Sequence, residues 1–504
     1  MPVDAEIDAI PRPVEPRWTR SVAFAILAVG LTVFVVANAP RLTSPFGDSH
    51  DGRNAGVWAS GSRALREEGP IDSRLGGLHL DGMTYANHPP LIYLETAAVE
   101  AVAGEHPWSS KAPALLSTIA AVLLLYVVLV NARVRRIPAA LGPTIGLLTP
   151  MLLVYGSMLD TPMTSLAFGV AVLWVWQRIA QGRGTSGLLA GALGALACLA
   201  GWEAMLLTWM AIVALVLRSP RTRDDAVRHL RGALPLLIGA ALGTVLTLGW
   251  ATWVYGNIST LGDQLARRSS DEGAATRSGA LRGQTVWLNE NFGTALLGMV
   301  ACVVAAVTDR RFRPLALLVL VPTVLYTVVL YDGAFYHDYW SYWWVLPIAI
   351  GAGWGLNWLW SSFEQRGAAP VLSLALCGVL SLVVMVPTAL KNTPAAANLD
   401  RGFIAGRLGA DAPFDPSQGA TADIGQTTDA SDWLSYYSRL PYQHISTSER
   451  LLAFADDNPD ALVLVGNRCD APPEGDLCLR LAAQDPGVPW RIVRAGDLVK
   501  SGAG

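Results

Sequence analysis

The sequence predicts a mainly α-helical, polytopic membrane protein that carries a small external α/β domain at its C-terminal end. Of the 504 residues, 52% are hydrophobic and only 15% are charged, with a mean hydropathy of +0.37. A soluble domain averages about 25% charged residues, so an ordinary cytosolic enzyme is excluded. Most apolar residues fall in runs of roughly 20, the length that crosses a bilayer. A net charge of −3 gives no reason to expect nucleic-acid binding.

Eleven membrane spans are predicted from ten apolar runs. The runs are 20–39, 112–131, 137–157, 161–180, 187–217, 233–255, 291–307, 314–331, 341–360 and 370–389. The run at 187–217 is too long for one untilted span, so we divide it at Gly201-Trp202-Glu203 into two short helices. The first run is too long for a signal peptide and is interpreted as a retained helix. The shorter run at 88–103 begins near two prolines and contains Glu95 and Glu100, which is typical of an interfacial or re-entrant helix.

The positions of the arginines predict the orientation, because short cytoplasmic loops carry an excess of Lys and Arg. If 88–103 is not counted as a span, the short loops between spans lie alternately on the two sides of the membrane. All the loops on one side are then basic. Neither Lys nor Arg occurs in the opposite turns, which are 158–160, 202–203 and 332–340. We therefore expect a cytoplasmic leader at 1–19, a transmembrane domain at 20–390 that includes a first outer loop at 40–111, and an external domain at 391–504. The expected location is the cell membrane.

The external domain has its own pattern of elements. Residues 448–456 have helical spacing, and the apolar run at 461–465, which ends at Gly466, and the segment 490–494 are typical of strands. Cys469 and Cys478 lie in a Pro/Gly-rich loop between the two strands. An oxidising outer compartment favours a disulfide between them, and two unpaired thiols are the alternative.

Candidate site residues gather on the predicted outer side. The first outer loop contains Asp48-Ser49-His50-Asp51, and a helical pattern follows from Ala55 to Arg66. Asp48 and Asp51 are therefore either site carboxylates at the membrane surface or only caps of that helix. At the end of the same loop, His88 precedes two prolines, where a plain helix start is the alternative.

Further ionisable residues lie in or between the predicted spans. Asp160 either joins the site or caps the helix that starts at Pro162. Glu203 lies in a long apolar run, where an ionised carboxylate costs roughly 2.5–3.5 kcal/mol and usually faces a cavity. Arg267 and Arg268, in the outer loop 256–290, either grip a phosphate or belong to a solvated loop.

The turn at 332–340 is the densest cluster. An interfacial aromatic belt explains its Trp and Tyr residues but not Asp332, His337 and Asp338. The sequence contains neither a Gly-rich phosphate loop nor a Rossmann fingerprint, which argues against an ATP-driven pump and a soluble nucleotide-sugar site. No His, Cys and carboxylate spacing is typical of a metal site, and a divalent cation on Asp160 or Asp51 stays open.

Five short motifs occur in a fixed order along the chain. They are Asp51-Gly52, Arg74-Leu75-Gly76, His88-Pro89-Pro90-Leu91, Met158-Leu159-Asp160 and His337-Asp338-Tyr339. In this order the chain resembles the bacterial branch of the protein O-mannosyltransferase and aminoarabinose-transferase families. These are membrane glycosyltransferases with the GT-C fold (glycosyltransferase family 39-like). The similarity covers most of residues 20–360.

The resemblance implies a polyprenyl-phosphate sugar as donor, with its isoprenoid tail in a groove among the spans. It implies that Asp51 is the catalytic base and that Asp160 is a further site carboxylate. Many relatives have Asp-Glu where this chain has Asp51-Gly52, so Asp48 stays a second candidate. His337 is expected near the donor phosphate. The remaining candidates for donor binding are Asp338, Tyr339, Arg267, Arg268, His88 and Glu203.

The expected reaction is a direct displacement that inverts the anomeric carbon, with a glycan, a lipid or a secreted protein as acceptor. A secondary transporter is the main alternative, and it predicts ionisable groups near the bilayer midplane and repeated halves. A cell-envelope scaffold with an external domain is the third hypothesis.

Overall fold

The computed structural model describes residues 15–47, 49–217, 223–269, 276–365, 377–381, 406–424, 431–445, 447–466 and 490–497. Within these ranges the chain is mainly helical and has one small sheet, which confirms the predicted fold class. Three residues of interest, Asp48, Cys469 and Cys478, lie outside the described residues, as does most of the predicted span 370–389.

The N-terminal part consists of helices joined by short turns. In chain order they are α1 (Arg17–Thr43), α2 (His50–Glu67), α3 (Gly69–Asp72), α4 (Leu91–Ala103), α5 (Pro107–Asn131), α6 (Arg136–Leu147), α7 (Pro150–Tyr155), α8 (Thr161–Ala180), α9 (Gly187–Ala200), α10 (Trp202–Leu217), α11 (Arg223–Tyr255), α12 (Ser259–Arg268), α13 (Arg277–Phe292), α14 (Leu296–Thr308), α15 (Arg313–Val329), α16 (Tyr331–Tyr336) and α17 (Val345–Gln365). Short 3₁₀ helices occupy Gly293–Ala295 and Asp338–Trp344.

Five of the described segments are long and apolar enough to cross a membrane. They are Arg17–Thr43, Pro107–Asn131, Thr161–Ala180, Leu230–Tyr255 and Arg277–Thr308. The helices α9, α10 and α15 are apolar but shorter. The protein is thus a polytopic helical membrane protein, and the count of eleven spans stays a prediction.

Helix breaks follow the local sequence. The long run at 187–217 is divided at Gly201, as predicted. The run at 137–157 is not one helix, because α6 ends at Leu147 and Pro150 begins α7. Proline fits the first turn of a helix but cannot continue one. The outer segment 256–290 was expected as a loop, and its described residues instead form α12 and most of α13.

The two ends of the helical part carry different groups. At one end, Arg135 Nη1 donates to Glu364 Oε1 at 2.7 Å, and the backbone N–H of Arg136 donates to Glu15 at 3.0 Å. This is the end of α5 near Asn131. At the opposite end of α5, Lys111 contacts Asp51. The segments predicted inside and outside therefore lie at opposite ends of the same helix.

The C-terminal unit contains a four-stranded sheet with the order β2-β1-β3-β4. Its elements are β1 (Thr421–Ile424), α18 (Ser431–Ser438), β2 (Tyr442–Ile445), α19 (Ser448–Asp457), β3 (Leu462–Gly466) and β4 (Trp490–Arg494). Strands β2, β1 and β3 are parallel, and β4 is antiparallel to β3. The helix predicted at 448–456 and the strands at 461–465 and 490–494 are confirmed within one residue or two.

The C-terminal unit packs directly on the first outer loop. The backbone N–H of Phe46 donates to the Tyr437 hydroxyl at 2.7 Å, and the Tyr436 hydroxyl donates to Glu105 at 3.0 Å. The Arg63 guanidinium lies 4.0 Å from the centre of the Tyr436 ring. Helix α2 is therefore held between the C-terminal unit on one side and the membrane helices on the other.

Candidate functional site

Helix α2 begins one residue before the candidate carboxylate Asp51. Ser49 is its N-cap, and the Ser49 hydroxyl accepts a hydrogen bond from Gly52 N at 3.0 Å. Asp51 lies in the first turn and is therefore not the cap of this helix, so that alternative is wrong for Asp51. Its carboxylate is available for another interaction.

That interaction is an ion pair with Lys111 in the first turns of α5. Lys111 Nζ lies 2.9 Å from Asp51 Oδ2 and also donates to the Arg41 carbonyl at 2.9 Å. The Lys111 side chain is fully buried and that of Asp51 is 2% exposed. A buried charge is costly unless it is paired, and here the two opposite charges lie in contact.

The residue after Asp51 is glycine for a local steric reason. A Cβ atom at Gly52 would lie 2.2 Å from the Gly47 carbonyl oxygen and 2.3 Å from the Gly47 nitrogen. These are backbone atoms, so no side-chain movement relieves the clash. Glutamate does not fit at this position, and the local chain path requires glycine.

Asp160 joins the same face of α2. Its carboxylate caps α8 through Thr161 N and accepts hydrogen bonds from Asn54 Nδ2 at 2.8 Å and Trp58 Nε1 at 3.1 Å. Asp51, Asn54 and Trp58 are spaced three and four residues apart, which places them on one side of a helix. Asp160 is therefore the cap of α8, which was one of the two alternatives, and it also lies beside Asn54 and Trp58. Its role as a site carboxylate stays a prediction.

Burial raises the pKa of Asp160 from 3.8 to about 7, the Thr161 hydrogen bond opposes this shift, and the negative charge of Glu203 adds to it. A carboxyl group whose pKa is higher in the folded protein contributes stability at low pH. That contribution is lost as the pH rises through the folded-state value.

We therefore expect Asp160 by itself to lower the stability as the pH rises from 4 to 8, by on the order of 4 kcal/mol, whereas the lowered pKa of His88 acts in the opposite direction. Thermal unfolding of the detergent-solubilised wild type and of Asp160→Asn across this range isolates the Asp160 contribution as the difference between the two profiles. Stability should rise more steeply or fall less with pH in Asp160→Asn than in the wild type, whereas Asp72→Asn, which changes an exposed carboxylate of α3, should follow the wild type. An unchanged profile in Asp160→Asn would contradict this assignment.

The aromatic turn after α16 contacts the same cluster. The Tyr339 hydroxyl accepts a hydrogen bond from Asn54 Nδ2 at 2.9 Å. Asp338 Oδ2 accepts from the Tyr155 hydroxyl at 2.7 Å. The turn is fixed from a third side by Asn291, whose amide donates to the Asp338 carbonyl at 2.9 Å. Asp338 and Tyr339 thus lie with Asp160, although about 180 residues separate them in sequence.

A second group surrounds Trp340. The His337 ring stacks on the Trp340 ring with centroids 5.4 Å apart, the Arg268 guanidinium lies 5.6 Å from that ring, and the His88 ring lies 6.4 Å from it. Burial, together with the nearby charge of Arg268, lowers the pKa of His88 to about 4, so this imidazole is neutral. Arg267 does not join the group, because it is exposed and donates to Gln264 at 2.9 Å.

Glu203 lies in the first turn of α10, close enough to Asp160 for its charge to act on that carboxyl group. It is 4% exposed, Ser165 Oγ lies 3.5 Å from its carboxylate, and the Tyr326 hydroxyl hydrogen-bonds to it. Its charge acts on Asp160. Glu203 is thus placed next to the cluster but is shielded by protein groups.

Sequence reasoning did not identify several members of the site. They are Asn54, Trp58, Lys111, Tyr155 and Trp340. Two signals were present, since Asn54 and Trp58 follow Asp51 at helical spacing and Lys111 is one of only three lysines in the chain. Among the described residues, no group of three or more His, Cys, Asp or Glu side chains is placed to hold a metal ion.

A small pocket adjoins the second group. It is lined by tryptophans 287, 340 and 344 and by Leu288, Ala334, Gln284, Thr327 and Ser341. The site therefore combines the carboxylates of Asp51, Asp160 and Asp338 with Lys111, Arg268 and two imidazoles, next to aromatic side chains.

No protein-family model matches the chain, and no curated protein matches it. Several solved structures match it. The chain is similar to ArnT, an aminoarabinose transferase from Cupriavidus metallidurans. The apo structure of ArnT has a TM-score of 0.55 and 15% identity, and the match covers 95% of this chain and 98% of ArnT. The structure bound to undecaprenyl phosphate has a TM-score of 0.57 and 16% identity, with coverage of 94% and 97%. It is also similar to the oligosaccharyltransferase AglB from Archaeoglobus fulgidus, in complex with an inhibitory peptide and a dolichol-phosphate. This match has a TM-score of 0.56 and 10% identity, and it covers 95% of this chain and 75% of AglB. Both have the GT-C fold, which is therefore the fold of this chain.

Proposed function

We propose, from the premise that this chain has the GT-C fold, that it is a membrane glycosyltransferase. In this proposal it moves a sugar from a polyprenyl-phosphate donor to an acceptor at the outer face of the cell membrane. The main supporting observation is the convergence of Asp51 and Asp160 on one face of α2, beside the group around Trp340. ArnT and AglB, which share the fold, were each solved with a polyprenyl phosphate bound.

Asp51 is the proposed general base. Its carboxylate takes the proton from an acceptor hydroxyl or amine while that group attacks the anomeric carbon of the donor sugar. The bond between this carbon and the phosphate oxygen breaks, and the polyprenyl phosphate leaves with the electron pair. Attack opposite to the leaving group inverts the configuration. Lys111 holds the Asp51 side chain in place during this step.

Arg268 is the proposed partner of the donor phosphate. Its guanidinium lies 5.6 Å from the Trp340 ring and its charge acts on His88. An arginine offsets the charge that develops on a leaving phosphate. The His337 ring, on the same tryptophan, is a second candidate for this contact. Asp338, Tyr339 and the neutral His88 line the donor position beside it.

Arg268→Gln is expected to raise the KM for the donor by roughly tenfold or more, because a charge-assisted contact to phosphate is worth at least about 1.5 kcal/mol. The neighbouring Arg267→Gln is the matched control, since Arg267 is exposed and contacts only its own helix in the interactions described. Binding of undecaprenyl phosphate to both variants measures the difference. Equal loss of affinity in the two variants would contradict a specific role for Arg268.

The placement of the cluster favours an enzyme over a transporter. Asp51 lies in the first turn of α2, Asp160 caps α8, and Lys111 lies near the start of α5. The groups therefore gather at helix ends, whereas a transporter is expected to hold them near the midplane.

The proposed function is tested with the purified protein in lipid vesicles. A panel of polyprenyl-phosphate pentoses and hexoses is added with membrane extract as acceptor, and released polyprenyl phosphate is measured. At least one donor should be consumed, and a deletion strain should lack one glycan or glycolipid by mass spectrometry. If no donor is consumed and the deletion changes no glycan or lipid, the proposal fails.

A further inference from the structure

The C-terminal unit is hydrogen-bonded to the chain just before α2. The Tyr437 hydroxyl accepts a hydrogen bond from Phe46 N at 2.7 Å and donates one to the Phe46 carbonyl oxygen at 3.3 Å. Burial raises the pKa of Tyr437, so this hydroxyl keeps the proton that it donates. Gly406, which precedes β1, packs on the same residue, since a Cβ atom at Gly406 would lie 2.0 Å from the Phe46 oxygen. The backbone of Phe46 is thus held by two separate segments from the C-terminal part of the chain.

The Phe46 side chain extends this contact to the ion pair of Asp51 and Lys111. Its ring is fully buried, and its centroid lies 4.9 Å from that of the Tyr436 ring. Lys111 Nζ lies 5.6 Å from the centroid of the Phe46 ring and 2.9 Å from Asp51 Oδ2. An ammonium group within about 6 Å of an aromatic ring is attracted to it. Phe46 therefore contacts both α18 of the C-terminal unit and the charged partner of the proposed base.

The backbone gives a second connection from Phe46 to Asp51. Gly47, the next residue, packs so closely on Gly52 that a Cβ atom at Gly52 would lie 2.2 Å from the Gly47 oxygen. The same oxygen accepts a hydrogen bond from Ser49 N at 2.8 Å. Ser49 is the N-cap of α2, and Asp51 lies in the first turn. A shift of Phe46 would therefore displace the turn of α2 that carries the proposed base.

We propose that Tyr437 and Phe46 are positioning residues through which the C-terminal unit fixes the proposed base Asp51, an inference that rests on the proposed glycosyltransferase function. Neither residue takes part in the chemical step. Each acts by holding Asp51 and Lys111 where a proton can be taken from the acceptor. A general base must lie within hydrogen-bond reach of that proton, so a small displacement of the base lowers the rate.

Tyr437→Phe tests this role, because it removes only the hydroxyl that binds the Phe46 backbone. Sugar transfer is measured with full-length protein in lipid nanodiscs, and kcat is expressed per site that binds undecaprenyl phosphate, which excludes unfolded protein. We expect kcat to fall roughly tenfold or more, because displacing a catalytic group by about 1 Å can cost about 100-fold. The KM for the donor should stay unchanged, because the proposed phosphate contact is not altered. Tyr442→Phe, which removes a hydrogen-bonded hydroxyl elsewhere in the same unit, should change neither constant.

Amide hydrogen exchange measures the contact itself without turnover. Exchange in a peptide that covers 44–54 should be faster in Tyr437→Phe than in the wild type, because the Phe46 N–H loses its acceptor. Tyr442→Phe should match the wild type in this peptide. Unchanged exchange in Tyr437→Phe overturns the proposal, as does a wild-type kcat in that variant. Faster exchange together with no sugar transfer by any preparation, the wild type included, contradicts the proposed function, on which the positioning role depends.

Phe46→Leu tests the side chain separately from the backbone. Leucine keeps an apolar side chain at this buried position and leaves the backbone groups that bind Tyr437, but it removes the ring that contacts Lys111. It should lower kcat per donor-binding site without changing the KM for the donor. Phe454→Leu, the same change at a buried position of α19, is the matched control and should change neither constant. Equal kcat values in these two variants would overturn the role of Phe46.

Discussion

Replacing Asp51 by asparagine is expected to lower the rate of sugar transfer by roughly 10²–10⁴-fold, because a general base contributes about that factor. Asparagine has nearly the same shape but cannot take the proton from the acceptor. The rate of polyprenyl-phosphate release, measured with saturating donor, is the readout. The same substitution removes the charge that lies 2.9 Å from the buried Lys111 ammonium, so a loss of stability is expected as well.

The double variant Asp51→Asn with Lys111→Met separates these two effects. It removes both charges, and replacing a buried pair by neutral side chains is often nearly neutral for stability. Its thermal stability should therefore approach that of the wild type while its transfer rate stays as low as that of Asp51→Asn. A double variant that transfers sugar at the wild-type rate would exclude Asp51 as the base and leave Asp48 as the candidate.

Lys111→Met alone is expected to cause the largest loss of stability of any single change considered. Removing one member of a buried ion pair leaves the other charge buried and unpaired, which costs about 3–5 kcal/mol. The Arg41 carbonyl at the end of α1 also loses its donor. Against a total stability of about 5–15 kcal/mol, this is a large fraction.

Thermal unfolding in detergent at neutral pH measures this loss. Arg311→Met, which removes an exposed cation at the opposite end of the helical part, serves as the control and should have little effect. Equal stability of Lys111→Met and the control at every pH would refute a structural role for the pair.

The sequence predicted best those features that depend only on neighbouring residues. The break at Gly201, the end of α2 near Arg66 and the strand that ends at Gly466 each depend on residues within a few positions. The start of α2 was wrong by five residues, because the helix begins at His50 and not at Ala55. The same reasoning failed at 137–157, where Pro150 divides an apolar run into α6 and α7. It also failed at 256–290, because hydropathy alone did not distinguish the helices α12 and α13 from a loop.

The amino-acid sequence by itself determined the class of this protein, since apolar runs, capping residues and basic loops act on the nearest few residues and on the bilayer. Only the tertiary structure paired Asp51 with Lys111, 60 residues away, and Trp58 with Asp160, 102 residues away. It also decided that the C-terminal unit packs against α2 through Tyr436 and Tyr437. Such contacts depend on how separate helices meet in space, and no local pattern of residues encodes which distant partner a buried charge will find.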